Sequence, residues 1–362
     1  MKISIGAKII EGPYGGGNTF IVNLKNYLEN KGHQVVNELY DHDIDLILLI
    51  NPLRFSEVST FNHFEIYKYL KNVNSNAVVI QRVNECDERK NTKNVNKQII
   101  YANKFVDYTV FVSNWLQDLY LKSGLNLDNS KVIKSGSDTR IFNQVNKRAW
   151  DKKEKFSFVT HHWSSHWMKG FESYYFVDKL LDQKKYSDLF EFTYIGNLPE
   201  DSSFKNIKVL KPMSGIELSD ELKKHHGYIT GTINEPSGNH HIEAALCGLP
   251  ILFLKSGGTP EYTTGFGVAY ESTETLVEKI YELIDNYEHL FENLKGYPYT
   301  ADYMLREYYM LFQKIITNKK NILEKRKKIN TFIYAAKLFN LKLFELYFKL
   351  KIFTIKNFKR IN

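Results

Sequence analysis

The chain has 362 residues, 43% apolar and 25% charged, with a formal net charge of +8. That length exceeds one typical domain, and that composition excludes a disordered or fibrous chain. Cys86 and Cys247 are too few and too far apart for a disulfide framework, which points to a reducing cytosol.

The charge is uneven. From Lys319 onward, thirteen Lys or Arg stand against Glu324 and Glu345, a net of +11, which leaves −3 for the rest. The basic balance belongs to the tail, so nucleic-acid binding by the body has no compositional support. Residues 1–10 read as a short apolar strand stopped by Glu11 rather than a signal peptide. No apolar run reaches the ~18 residues of a membrane span.

In chain order, residues 3–9 read as a strand and residues 12–17, Gly-Pro-Tyr-Gly-Gly-Gly, as a glycine-rich turn. Asn18 or Thr19 is placed to cap a helix running to about Asn30. Gly32 ends it, and residues 34–36 start the next strand. Residues 45–50, 77–80 and 108–112 are continuous apolar runs, the pattern of parallel strands covered on both faces. A strand, a glycine turn and a helix start together favour a phosphate, with Gly15, Gly16 and Gly17 as its contacts. A tight turn without ligand explains three glycines equally well.

Residues 143–155 are polar and charged and read as an interdomain linker. A second alternating unit follows: strand 156–160, helix 173–181, strand 192–195 closed by Gly196, and strands 227–229 and 251–254. Residues 302–317 read as a last helix. The expected architecture is α/β, with two Rossmann-like domains facing a cleft and a basic C-terminal helical tail. Residues 1–145 form the first domain and 155–300 the second, 301–318 are the last helix, and 319–362 are the tail.

Glu235 and Glu243 flank a helix start. Eight residues at ~100° each bring two side chains close to one helical face. Pro236 and Gly238 favour a bend, so Glu235 belongs to the entrance loop and Glu243 lies about a turn inside. The free N–H groups near Gly238 and Asn239 suit an anion, and the carboxylates accept hydrogen bonds from vicinal hydroxyls. A sugar nucleotide offers hydroxyls at both ends and a diphosphate between. Spacing alone decides little, since two such glutamates are more often solvated.

The surrounding residues add to this. The stretch from Glu235 to Pro250, with Gly257-Gly258-Thr259-Pro260-Glu261 after it, resembles the donor-site signature of glycosyltransferase family 4. That signature is an E-x7-E element, a helix of the E-A-x-x-x-G-x-P type, a short strand and a G-G-x-P-E loop. The glycine turn, Lys31-Gly32-His33-Gln34-Val35 and residues 132–142 resemble other parts of the family. The resemblance spans about residues 1–317. It implies the GT-B architecture, whose ligands bind beyond the carboxyl ends of the strands. It also implies retaining transfer of a sugar from a nucleotide-diphosphate donor to an acceptor hydroxyl, with no metal and no cofactor. It assigns Glu243 to the nucleotide ribose, and Glu235 to the sugar and the charge developing at the anomeric carbon. Lys169, the amides near Gly238 and Asn239, and Gly15–Gly17 hold the diphosphate, with Gly258 among the donor contacts.

Two departures matter. The family carries an Arg five residues before the Lys; here Lys169 and Gly170 match, but Ser164 stands where the Arg belongs. His161, His162 and His166 are the candidates to replace it, with His162 taken as the donor contact. Packing between Trp163 and Trp167 accounts for the same histidines, and no Cys or acid completes a metal set. The family His after strand 77–80 is also absent. Arg82, Asn84, Glu85 and Asp87 fill that place as an acceptor or sugar loop, with Glu85 or Asp87 able to take the hydroxyl proton. A solvated charged loop is the plainer alternative.

In the tail, Lys325-Arg326-Lys327-Lys328 precedes the apolar-rich residues 331–358. Lys beside Leu and aromatic residues describes an interfacial helix on anionic lipid, and packing on the protein body or a partner is the other reading. The expected setting is cytoplasmic, peripheral at the inner membrane face, with a saccharide or lipid-linked acceptor of surface polysaccharide or glycolipid synthesis. The rivals are a non-catalytic GT-B sugar-binding or scaffold subunit and a GT-B epimerase.

Overall fold

The computed structural model describes residues 1–10, 16–52 and 58–326. They build two six-stranded sheets whose paired strands are all parallel. The first contains β1 (Lys2–Ile5), β2 (Gln34–Val36), β3 (Leu46–Leu49), β4 (Val78–Val83), β5 (Tyr108–Phe111) and β6 (Ser130–Val132), in the order β2-β1-β3-β4-β5-β6. The second contains β7 (Phe156–His162), β8 (Phe190–Gly196), β9 (Lys208–Leu210), β10 (Gly227–Thr230), β11 (Ile251–Leu254) and β12 (Gly267–Tyr270), in the order β12-β11-β10-β7-β8-β9. Strand order reverses between β1 and β3 in the first sheet and between β7 and β10 in the second. A ligand crevice opens beyond the strand carboxyl ends at such a reversal.

Two strands run further than their apolar runs predict. β4 continues past Ile80 because its polar residues find partners inside the sheet. Gln81 donates from Nε2 to the Ile99 carbonyl (3.3 Å) and accepts from Asn103 Nδ2 (2.9 Å). Arg82 is therefore a strand residue, not a loop residue. β7 continues over both histidines, which pair in register with Ile195 and Gly196. A Cβ on Gly196 would lie 2.0 Å from the His162 carbonyl oxygen, so glycine permits that close approach. Asn18 does not cap its helix, which starts at Gly16 and runs to Asn30. Its amide instead accepts from Ile10 N (2.9 Å) and donates to Ile10 O (2.8 Å).

The helix Ala301–Thr317 presents Met304, Leu305, Tyr308, Leu311, Phe312 and Ile315 on one stripe, the 3.6-residue period of a core-facing helix. That stripe packs into the core of the first sheet with Ile3, Ile5, Phe20, Leu46 and Val78. Each such side chain contributes about 1.5–3 kcal/mol when buried. Residues 143–155 carry no regular element but are held to the second half. Trp150 packs edge-on to Phe156 and Tyr287 (centroids 5.0 and 5.9 Å), and Gln144 donates to the Leu294 carbonyl (2.9 Å).

The two halves also bind each other. Glu261 accepts from the backbone N–H groups of Asn114 (2.9 Å) and Trp115 (2.7 Å), the start of the helix Asn114–Lys122, and ion-pairs with Lys134. The Glu of the G-G-x-P-E loop thus serves as an anionic cap for a helix in the other half. Burial pushes the Lys134 ammonium down to about 8.

At the tail, Arg326 is clamped to the first half. Its guanidinium donates to Asp107 Oδ1 (2.8 Å) and Oδ2 (2.7 Å) and to the Ser75 carbonyl (2.6 Å). This corrects the reading of residues 325–328 as one lipid-facing cluster, because Arg326 already has a buried carboxylate. The remainder of that cluster and the predicted interfacial helix lie outside the described residues. Among the described residues no helix is long and apolar enough to cross a membrane.

Candidate functional site

The second sheet supplies a lysine and a carboxylate from two neighbouring strand ends. After β7 the chain makes a short 3-10 turn, Trp167–Lys169, closed by Gly170 in the left-handed region at φ 104°. A Cβ on Gly170 would lie 2.7 Å from Gly231 C, so only glycine lets this turn lie against the end of β10. Ile233 N donates to the Met168 carbonyl (2.9 Å) and ties the two loops. Lys169 Nζ consequently meets Glu235 Oε2 at 2.5 Å.

The other Glu235 oxygen faces a cation from the opposite half. Arg89, in the loop after β4, places Nε 3.1 Å from Glu235 Oε1, at ion-pair distance though not at hydrogen-bond angle. Its Nη1 donates to Glu85 Oε2 (2.6 Å). Asn234 donates to the Glu88 carbonyl (3.3 Å) beside it, so this contact closes the cleft on both sides of Glu235. Burial alone would raise the Glu235 pKa, but Arg89 and Lys169 together hold it well below the usual carboxylate range. Lys169 is lowered by its own burial, against the opposing pull of Glu235.

Glu243 lies one turn into the helix Asn239–Leu246. Its Oε2 is 2.9 Å from His161 Nε2. Tyr228 Oη lies 3.2 Å from His161 Nδ1 and accepts from the His161 backbone N–H (3.1 Å). A proton on His161 Nε2 satisfies both ends: Nε2 donates to Glu243 and Nδ1 accepts from Tyr228.

The helix start itself is built around Gly238, at φ 63°, where a Cβ would come within 2.7 Å of His241 and 2.8 Å of His240. His241 is fully buried, and among the described residues neither ring nitrogen has a hydrogen-bond partner. Burial lowers it to about 3, despite the opposing pull of Glu235. Asn239, the first helical residue, reaches across to the first half. A Cβ added at Gly16 would lie 2.5 Å from Asn239 Nδ2. Two helix amino ends, Gly16–Asn30 and Asn239–Leu246, therefore meet at the cleft, and their positive dipole ends favour an anion between them.

Several predicted residues are thus neighbours: Lys169 meets Glu235, Gly238 opens the helix that carries Asn239 and Glu243, and Asn239 meets Gly16. Gly17 borders a neighbouring cavity with Arg82, Asn84 and Glu85. Gly15 lies outside the described residues. Three expected contacts take other places. His162 is held inside the second half by Tyr174 Oη (2.6 Å), and it is His161 that reaches Glu243. Asp87 anchors a helix start, accepting from Val95 N (2.9 Å), Asn96 N (3.0 Å) and Thr92 Oγ1 (2.6 Å), so its carboxylate is engaged. Gly258 packs against the Pro236 carbonyl and Ser113 and donates to the Glu235 carbonyl (2.8 Å), which supports the Glu235 backbone from behind. His166 accepts from Met168 N (3.3 Å) within its own turn.

The second cation that faces Glu235 beside Lys169 is Arg89, from the other half, rather than His161 or His162 within β7 or His166 after it. The position of Arg89 in a charged loop distinguishes it in no way from Lys90 or Glu88, and only the closure of two halves reveals it.

Two parallel Rossmann-like sheets facing a cleft, with the site at both strand-order reversals, define the GT-B fold. No family model and no curated protein matches the sequence. Solved structures do match the fold. A Rickettsia africae glycosyltransferase superposes with TM-score 0.62 at 14% identity, over 88% of this chain and 98% of that one. Anabaena HepE in complex with UDP-glucose gives 0.63 at 14% identity, over 87% and 100%. Sucrose-phosphate synthase from Thermosynechococcus elongatus gives 0.59 at 12% identity, over 87% and 99%.

Proposed function

We propose that this chain is a retaining glycosyltransferase of family 4 type, moving a sugar from a nucleotide-diphosphate donor to an acceptor hydroxyl in surface polysaccharide or glycolipid synthesis. The observation that carries it is Glu235 held between Lys169 and Arg89 at the meeting point of two helix amino ends. An ionised, desolvated carboxylate there suits the positive charge developing at an anomeric carbon. Two cations and the helix ends suit the diphosphate that departs. Glu243, oriented by His161, takes the ribose hydroxyls, and Glu85 remains the acid of the acceptor loop. UDP-glucose in the HepE structure makes UDP the first nucleotide to test.

Calorimetry with UDP, GDP, ADP and TDP checks this. One of them should bind, and Glu243→Ala should weaken it about 10- to 100-fold, as expected for a lost charge-assisted hydrogen bond. Glu235→Gln should keep nucleotide affinity and lose transfer. If no nucleotide binds, or Glu243→Ala binds as the wild type does, the assignment is wrong.

We further propose that residues 327–362 hold the protein on anionic lipid, on the strength of their Lys and apolar residues alone. Sedimentation with phosphatidylserine vesicles should lose the protein once these residues are deleted. Equal binding by the truncated chain would sink that role.

A further inference from the structure

Beside the donor crevice, the first half has a cavity of its own, about 210 Å³, at the carboxyl ends of β1, β3 and β4. Lys8, Gly17, Asn18, Arg82, Asn84 and Glu85 are in its lining. Arg82 is the unusual member. It is only 6% exposed, yet its Nε and Nη1 have no hydrogen-bond partner among the described residues. Its guanidinium rests against the Phe20 ring, 4.2 Å from the centroid. The face of one phenyl ring offsets only part of the cost of burying a guanidinium with unmet donors.

The carboxylates nearby in sequence are already engaged. Glu85 is bound to Arg89 (2.6 Å), and Asp87 anchors the helix Val95–Ala102. The rest of the lining adds positive potential. Lys8 follows β1, and Gly17 and Asn18 belong to the first turn of the helix Gly16–Asn30, whose dipole points its positive end there. Among the described residues the lining therefore presents a buried cation without a carboxylate partner, a second cation in Lys8 and no free counter-charge.

We propose that this cavity is an anion subsite for the acceptor. It receives a carboxylate or phosphate carried by the acceptor saccharide, with the Arg82 guanidinium, Lys8 and the helix amino end as its counter-charge. A neutral acceptor leaves Arg82 uncompensated, so the subsite selects acidic or phosphorylated acceptors over neutral ones. The proposal takes from the function above only that the first half receives the acceptor.

The test needs no donor. Ligand-observed NMR on the full chain uses inorganic phosphate, methyl glucuronide and methyl glucoside, each at about 10 mM, a range that reads millimolar affinities. At least one of the two anions should bind and the glucoside should not, and which anion binds separates a phosphorylated acceptor from a uronic one. Arg82→Met should weaken the anion about 10-fold or more, while Arg82→Lys, which keeps a cation on a similar stem, should retain the preference for anion over glucoside. Lys169→Ala, on the other side of the cleft, should leave the anion bound. The idea is overturned if neither anion binds, if the glucoside binds as well as the anions, or if the loss follows Lys169→Ala instead of Arg82→Met. Failure of every nucleotide to bind would defeat the proposed donor site and leave this result standing.

Discussion

Arg89→Ala is expected to lower kcat/KM for sugar transfer by about 10²- to 10³-fold, the loss typical of removing one preorganised charge-stabilising donor. Lys169→Ala is expected to fall in the same range. Both cations face one carboxylate, Arg89 at 3.1 Å and Lys169 at 2.5 Å from its two oxygens. They act on a shared group, so the double variant should lose less than the product of the single losses. A second readout separates this from a purely structural clasp. Arg89 and Lys169 are what overcome burial and keep Glu235 ionised far below the usual range. Removing Arg89 takes away one lowering influence, so the Glu235 pKa must rise. The acid limb of the kcat/KM profile should move toward neutral pH, and Arg89→Lys should move it part of the way back. Full activity with an unshifted acid limb in Arg89→Ala would reduce Arg89 to a strut between the halves.

The same residue shows how far the sequence carries this site. Glu235, Glu243 and Lys169 were legible because each belongs to a local motif whose neighbours are constrained: Gly238 by its positive φ, Gly170 by the close approach of Gly231. The alternating architecture was legible for the same reason, since buried parallel strands must be apolar runs. Arg89 was not, because its partner is more than a hundred residues away and on the other sheet. The ends of β4 and β7 lie beyond their apolar runs, where polar residues sit inside the sheet. An apolar-run criterion stops at Gln81 and His161, whereas the fold continues because Asn103 and Tyr228 satisfy them. Edge strands β6 (Ser130–Val132) and β9 (Lys208–Leu210) each contain a lysine and offer no continuous apolar run, and β12 opens on Gly267. The histidines were legible as a cluster but not as individuals. Adjacent strand residues face opposite sides of a sheet, so His161 reaches Glu243 while His162 packs on Tyr174.

Those histidines also set the second large effect, a loss of stability in mild acid. His162, His225, His240 and His241 are all buried, and burial lowers each of them, His225 to about 4 and His241 to about 3. In the unfolded chain a histidine titrates near ~6.5. As pH falls below that value the unfolded chain takes up protons that the folded chain refuses, so each group removes up to about 1.4 kcal/mol of stability per pH unit. Above pH ~6.5 both states are neutral at these sites and the contribution is fully present. Glu235 does not offset this, because its depressed pKa matters only below the unfolded carboxylate value of ~4.3. Four such groups together remove several kcal/mol between pH 7 and pH 5, a large share of a total stability of about 5–15 kcal/mol. Calorimetry should therefore show Tm falling by more than about 5 °C over that interval. His225 lies away from the cleft, its Nδ1 3.0 Å from the Glu221 carbonyl oxygen, and offers a clean control. His225→Gln keeps a donor there and cannot protonate, so its stability should decline less steeply by about one proton's worth. A flat Tm from pH 7 to pH 5 would mean that these imidazoles take up protons within the folded protein. The buried cluster around Gly238 would then be open to solvent rather than dry.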